Sequence, residues 1–187
     1  MVRTTSIRAT SIDGLILIER RLHADDRGTL DRLFDDEEIG RLLPGFRASQ
    51  VNHSITTRRG TVRGMHYQTP PNADAKVVTC LRGRVFDVAV DVRYGSETFL
   101  QWHAEVLEPG KNRSVVIPEG FAHGFQALTD ECELLYVHGV PYHAEAEAGL
   151  RPNDPALKIG WPEPPLLMSK RDMTHPLVTA DWQGVRG

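Results

Sequence analysis

Apolar and polar positions alternate with period two along much of this chain, as in Phe86-Asp87-Val88-Ala89-Val90-Asp91-Val92. That period puts successive side chains on opposite faces of a strand. Short β-rich runs occupy residues 15–18, 76–81, 85–92, 102–107, 114–117, 124–127 and 133–137. Turn residues separate them: Asp13-Gly14, Asp26-Arg27-Gly28, Gly60, Pro70-Pro71, Arg82-Gly83, Gly95-Ser96, Pro109-Gly110, Pro118-Glu119-Gly120, Thr129-Asp130, Gly139 and Pro155. Short strands at this spacing predict a sandwich or barrel. One helix is predicted over 35–43, with Asp and Glu in its first turn and Pro44 just beyond its end. Residues 164–176 are broken by prolines and leave room for one short helix around 169–173. No internal repeat and no interdomain linker interrupts the pattern. The expectation is one all-β domain over 1–187, with an N-terminal arm over about 1–14 and an irregular C-terminal segment over about 162–187.

Composition narrows the class without changing the fold. The chain has 187 residues, 40% hydrophobic and 25% charged, ordinary values for a folded domain able to bury its own core. A net charge of −3 gives no bulk positive field for nucleic acid, although a local basic cluster can still hold a small anion. No apolar run reaches the roughly 18 residues needed to span a membrane. The opening MVRTTSIRATSIDG lacks the apolar region of an export signal, so a cytoplasmic protein is expected. Cys80 and Cys132 each lie in an apolar stretch and are expected to be reduced core residues.

Two segments carry candidate chemistry. The first is Gly60-Thr61-Val62-Arg63-Gly64-Met65-His66-Tyr67-Gln68, the second Ile117-Pro118-Glu119-Gly120-Phe121-Ala122-His123-Gly124-Phe125. Together they resemble the two signature motifs of the cupin superfamily. In a metal cupin the first motif carries His-x-His and then a Glu. Here Gln68 takes the second His position, and no Glu occurs in 69–76. Catalytic metals take three His or carboxylate ligands, and only His66 and His123 stand at cupin ligand positions. No metal is therefore expected. Chemistry without a metal needs an acid, a base and a charge stabiliser. An imidazole such as His66 is suited to abstracting a proton, and a carboxylate must orient it for that role. Lys76 can hold positive charge near a developing oxyanion, the alternative being a solvated loop lysine. Tyr136, on a late strand, can supply a proton from another direction, the alternative being a core residue with its hydroxyl at the rim.

A more specific resemblance is to the nucleotide-sugar 3,5-epimerases, typified by dTDP-4-dehydrorhamnose 3,5-epimerase. It rests on Asp26-Arg27-Gly28, Gln50-Val51-Asn52-His53-Ser54, Arg59 through Gln68, Ala75-Lys76, Gly83 through Arg93 and Gly95-Ser96 with Thr98-Phe99. It continues through 118–125, Leu135-Tyr136, Asn153-Asp154-Pro155, Ile159-Gly160-Trp161-Pro162 and Ser169-Lys170-Arg171-Asp172. These segments span roughly 14–178. The resemblance implies a cupin-type jelly roll, or double-stranded β-sandwich, that works as a homodimer without a cofactor. Its substrate would be a nucleotide-diphosphate 4-keto-6-deoxy sugar, inverted at C3, C5 or both. It also implies roles: His66 as general base with Asp172 as its orienting partner, Lys76 as enolate stabiliser, and Tyr136 as general acid on the opposite face. His123 and Asp87 would line the same pocket. Arg63 and Arg27 would hold the diphosphate, one of them across a dimer interface. Gln50 and Asn52 would contact the nucleotide-sugar, and Tyr142 would stack on the base. A single-carbon epimerase, a ketoisomerase and a non-catalytic sugar-binding cupin are the alternatives.

The chain departs from that family's pattern after Asp-Arg-Gly. Thr29, Leu30, Asp31 and Arg32 stand where an aromatic pair and a Glu are usual. Those family positions include contacts to thymine, so a base pocket of altered selectivity is expected.

Overall fold

The structure is a computed structural model and describes residues 5–187. Its strands are β1 (Thr5–Ala9), β2 (Ile16–Arg20), β3 (His23–Asp25), β4 (Gly28–Leu30), β5 (Gln50–Thr56), β6 (Val62–Gln68), β7 (Lys76–Arg82) and β8 (Val85–Asp91). β9 (Trp102–Leu107), β10 (Arg113–Ile117), β11 (Phe121–Ala127), β12 (Cys132–His138) and β13 (Glu147–Gly149) follow, with helices α1 (Asp36–Leu42) and α2 (Lys170–Thr174). A six-stranded sheet runs β1-β2-β10-β7-β12-β5, and a five-stranded sheet runs β13-β6-β11-β8-β9. All their pairings are antiparallel, which is the sandwich that the short strands predicted.

Alternation along the strands explains three apolar layers. Inward residues of both sheets, among them Val78, Cys80, Val115, Ile117, Phe121, Phe125 and Leu134, form the inter-sheet core. The intervening residues of the larger sheet, Val77, Val116 and Val137, face outward and are covered by α1 through Ile39. Asp35 caps that helix by accepting from the Glu38 N–H at 3.1 Å, a contact worth about 1 kcal/mol. Outward residues of the smaller sheet, Met65, Val88, Val90 and Ala122, are covered by the C-terminal segment with Trp161, Val178, Trp182 and Val185. Two indoles there are tied down, Trp102 to the Leu157 carbonyl and Trp161 to the Pro152 carbonyl. Truncating a core residue such as Phe125 to Ala costs about 3–5 kcal/mol.

Several segments differ from the sequence reading. Residues 1–4 of the expected N-terminal arm lie outside the described residues. Residues 5–9 are not an arm but β1, paired along its whole length with β2. As an edge strand it buries no large side chain, and its one large apolar residue, Ile7, is exposed, so alternation there carries no burial signal. β5 and β6 fall outside the predicted runs, because polar residues, Gln50, Asn52 and Ser54 on β5 and Arg63 and His66 on β6, face a cavity rather than core. α2 falls where a short helix was expected, with Ser169 as its cap.

Candidate active site

The inward rows change from apolar to polar at one end of the sandwich. On β7 the row is Cys80, Val78, Lys76; on β12 it is Cys132, Leu134, Tyr136, His138; on β11 it runs from Phe125 to His123. The polar ends open a cavity of about 840 Å³. His66, Arg63 and His123 reach it from the smaller sheet, and Gln50, Asn52, Lys76, Tyr136 and His138 from the larger. Candidate base and candidate acid thus enter from opposite walls. The two signature segments meet where β6 pairs with β11, His66 opposite His123. Glycines permit that approach: a Cβ on Gly64, whose φ is +131°, would lie 2.5 Å from the Gly124 backbone.

Three histidines there are each held by a buried aspartate. His66 Nε2 lies 2.8 Å from Asp172 Oδ1, His123 Nε2 2.8 Å from Asp87 Oδ2, and His138 Nδ1 2.7 Å from Asp74 Oδ2. A carboxylate only accepts, so His66 Nε2 carries the hydrogen of the neutral ring and Nδ1 keeps the basic lone pair. Arg171 Nη2 approaches the same Nε2 at 3.3 Å. That nitrogen has no lone pair left, so this is not a second hydrogen bond; the guanidinium is held there by carboxylates, Glu147 at 2.7 Å and Asp172 at 3.8 Å. Burial acts to raise the Asp172 carboxyl, but the His66 hydrogen bond and charge, the Ser169 hydroxyl and the Gly64 N–H outweigh it and hold it at about 2. The charged form of the orienting carboxylate is thereby secured.

On the opposite wall Lys76 Nζ lies 3.1 Å from Asp74 Oδ2, both groups buried. Burial acts to raise Asp74, and the His138 hydrogen bond together with Lys76 bring it below the usual carboxylate range. Tyr136 stacks on His138, centroids 6.0 Å apart at 16°, and meets His123 edge-on at 6.0 Å and 72°. Burial pushes its phenol well above the ordinary value, so it stays protonated at neutral pH.

Other expected site residues are placed as follows. Gln50, Asn52 and Arg63 line the cavity, and Arg63 donates to the Ile55 carbonyl at 3.2 Å. Tyr142 is exposed at the cavity, its hydroxyl 2.7 Å from Glu147 Oε2. Asp87 does not line the cavity. It sits behind His123, since its inward position on β8 faces the β11 imidazole. Arg27 is not at the cavity of its own chain either. It stands on the exposed β3–β4 hairpin, paired with Asp25. On the same hairpin Leu30 is exposed, while Asp31 just beyond it pairs with Arg20 and Arg32 with Asp35.

The cupin ligand positions are spent on other bonds. Gln68 Nε2 donates to the Asn72 and Pro141 carbonyls, and its Oε1 accepts from the His143 N–H at 2.7 Å. A different trio, His66, Asp172 and His175, brings donor atoms within 4.8 Å of one another. There the His66–Asp172 hydrogen bond already occupies two of the three donors. His175 Nε2 is buried against Gly149, and burial, then the nearby His66, lowers its pKa.

Sequence reasoning missed Asp74, His138, Glu147, Arg171 and His175. His138 was within reach, because it follows Tyr136 by two and shares its strand face. Arg171 stands inside the Ser169–Asp172 run. Asp74 lies outside any strand, and Glu147 begins a strand of three residues, too short for a period to mark it.

Residues 9–180 match the family described as dTDP-4-dehydrorhamnose 3,5-epimerase. A dTDP-4-dehydrorhamnose 3,5-epimerase of Mycolicibacterium smegmatis is 41% identical over 181 residues, covering 95% of this chain and 89% of its own length. A dTDP-4-dehydrorhamnose 3-epimerase of Streptomyces niveus is 42% identical over 170 residues, 89% of this chain and 80% of its own. The crystal structure of a 4-keto-6-deoxy sugar epimerase from the novobiocin cluster of Streptomyces spheroides superposes with a TM-score of 0.87 at 37% identity, covering 94% of this chain and 88% of that one. With that sequence match along nearly its whole length and that cupin-like sandwich around the cavity, the chain belongs to the dTDP-4-dehydrorhamnose 3,5-epimerase family.

Proposed function

We propose that this isomerase epimerises a dTDP-linked 4-keto-6-deoxyhexose at C3, C5 or both, in deoxysugar biosynthesis and without a cofactor. One arrangement carries the reading: the Asp172-held His66 faces Lys76 and Tyr136 across the cavity. His66 Nδ1 takes the proton α to the 4-keto group, and the bonding pair moves onto the ketone oxygen as an enolate. The Lys76 ammonium stabilises that oxygen. Tyr136 then protonates the same carbon from the face opposite His66, the ketone re-forms, and the centre is inverted. Tyr136 regains a proton from water, and His66 releases its own. His123, held by Asp87, lines the pocket beside Tyr136. Gln50 and Asn52 contact the nucleotide-sugar, Tyr142 stacks on the base, and Arg63 binds the diphosphate.

The protein works as a homodimer in this reading, with Arg27 presented to the partner's diphosphate site. The support is an arginine with an 89% exposed side chain on a fully exposed hairpin, away from its own cavity. A reducing cytoplasm suits Cys80 and Cys132, both buried and unbridged. No helix among the described residues is long and apolar enough to cross a membrane.

The test is proton NMR in deuterated water with dTDP-4-keto-6-deoxyglucose. Loss of the H3 or H5 signal, with inversion in the product, is expected and counts the carbons involved. The similarity to a 3-epimerase as well as to 3,5-epimerases makes that count the informative readout. No exchange with dTDP-, CDP- or GDP-linked substrates would refute the reading.

A further inference from the structure

A line of hydrogen bonds crosses the larger sheet from the rim of the cavity to Lys76, with a buried charge at its inner end. Asp74 is buried, and its Oδ2 receives both Lys76 Nζ at 3.1 Å and His138 Nδ1 at 2.7 Å. A carboxylate offers no hydrogen, so Nδ1 of His138 must carry one. In the neutral ring Nε2 then only accepts. Its neighbour is Asn52 Nδ2 at 3.4 Å, the longest link, so the Asn52 amide donates there. That fixes Asn52 Oδ1 as an acceptor, and it receives Gln50 Nε2 at 3.0 Å. Gln50 Oε1 in turn accepts from the Tyr142 backbone N–H at 3.1 Å. Both ends of the row agree: the Asp74 charge, through His138, sets it from one side, and the Tyr142 N–H, which can only donate, sets it from the other.

We propose that His138 is a positioning residue: through Asp74 it holds Lys76, and through Asn52 and Gln50 it keeps N–H groups turned toward the substrate. The inference rests on the reading of Lys76 as the enolate stabiliser. His138 touches neither the reacting carbons nor the ketone in that reading. Its two nitrogens have separate tasks. Nδ1 shares the Asp74 oxygen with the ammonium, so it bears on the enolate. Nε2 anchors the inner end of the amide row, so it bears on binding. The remaining hydrogens of Asn52 Nδ2 and Gln50 Nε2 then suit acceptor oxygens, such as those of a sugar hydroxyl or a diphosphate. The charged groups facing the ring are Asp74 and Lys76, and its flat face is covered by Tyr136.

The two tasks are separable by substitution. His138→Phe keeps a ring against Tyr136 and removes both nitrogens. His138→Asn leaves a donor near the Nδ1 position and removes the Nε2 link. With dTDP-4-keto-6-deoxyglucose, His138→Phe is expected to lower kcat for deuterium wash-in about ten- to a hundredfold and to raise KM. His138→Asn is expected to recover most of kcat while KM stays raised. Long-range proton–nitrogen NMR on the wild type, assigned by loss of the signal in His138→Phe, is expected to show the Nδ1–H tautomer. Melting temperatures of both variants control for folding. Wild-type kcat and KM in His138→Phe, equal defects in the Asn and Phe variants, or an Nε2–H tautomer would each overturn the proposal. Failure of the underlying reading looks different: the wild type would not exchange at all, or Lys76→Met would exchange at the wild-type rate.

Discussion

Asp172, in the first turn of a five-residue helix, reaches across 106 positions of sequence to hold His66 Nε2 at 2.8 Å. The same carboxylate accepts from the Gly64 N–H at 3.3 Å, so it fixes the strand as well as the ring. His66→Ala is expected to abolish exchange at every carbon, by about 10²–10⁴-fold, with the fold intact. Asp172→Asn is expected to lose less, since an amide still holds the ring but stabilises the imidazolium poorly. Wash-in rates by NMR for the two variants check both statements, and wild-type exchange in His66→Ala would remove this residue from the mechanism.

Acid should weaken the fold through a second aspartate. Asp91 is fully buried and accepts from Arg93, Ser96 and Thr98 at 2.6–3.0 Å. Burial works to raise it, but these donors hold it at about 2. An unfolded Asp titrates near ~3.9, so between there and about pH 2 the unfolded chain takes up the proton first. The stabilisation is therefore complete above that range and is lost as pH falls through about 2. Asp172 adds to the loss in the same window. Asp91→Asn is expected to cost on the order of 2 kcal/mol at neutral pH and to flatten the acid limb. Urea midpoints between pH 2 and 7 measure it, and an unchanged acid slope would contradict the assignment.

The strands of the core were legible because burial on one or both faces leaves an apolar record. β9 was read residue for residue, and β7 and β12 to within one residue at each end. β5 and β6 left no such record, because polar side chains facing the cavity interrupt it. The His66–Asp172 pair followed from family resemblance alone, since no period links a strand to a helix so far along the chain. The Asp74–His138–Lys76 cluster was missed for a related reason. Asp74 lies outside any strand, and only the three-dimensional meeting of β5, β7 and β12 shows what it serves.

Metal dependence follows from the commitments of Gln68. Both ends of its amide are engaged by backbone groups, and His123 is engaged by Asp87. Exhaustive chelation is expected to leave exchange activity unchanged. Loss on chelation, with recovery on adding back one metal, would show that the His66, Asp172 and His175 donors or another set bind an ion in the working enzyme.

Nucleotide selectivity is expected to be modest. The positions after Asp26-Arg27-Gly28 carry an exposed Leu30 and two residues, Asp31 and Arg32, whose charges are spent on Arg20 and Asp35. A site rejects analogues strongly only where buried polar groups would be left unpaired. Competition among dTDP, UDP, CDP and GDP should favour dTDP by less than about a hundredfold, or roughly 2.7 kcal/mol. A larger preference would show that this hairpin is not where the base is read.

Tyr136→Phe separates acid from base. If Tyr136 only protonates the enolate from the far wall, the variant keeps His66 and Lys76 and still forms that enolate. His66 then returns a proton to the face it came from, so solvent deuterium enters without inversion. The phenol suits this task, since burial holds it protonated while an enolate is basic enough to take its hydrogen. Phe also conserves the stacking on His138 and the edge contact with His123, so the packing is little disturbed. Net inversion is therefore expected to fall by about 10²-fold or more, and exchange by much less. Equal loss of both would mean that the hydroxyl helps to form the enolate. Near-normal rates of both would make Tyr136 a packing residue, with Tyr142 or a water as the next candidate acid. Deuterium content against product ratio, read in the same tube for wild type and variant, distinguishes the three.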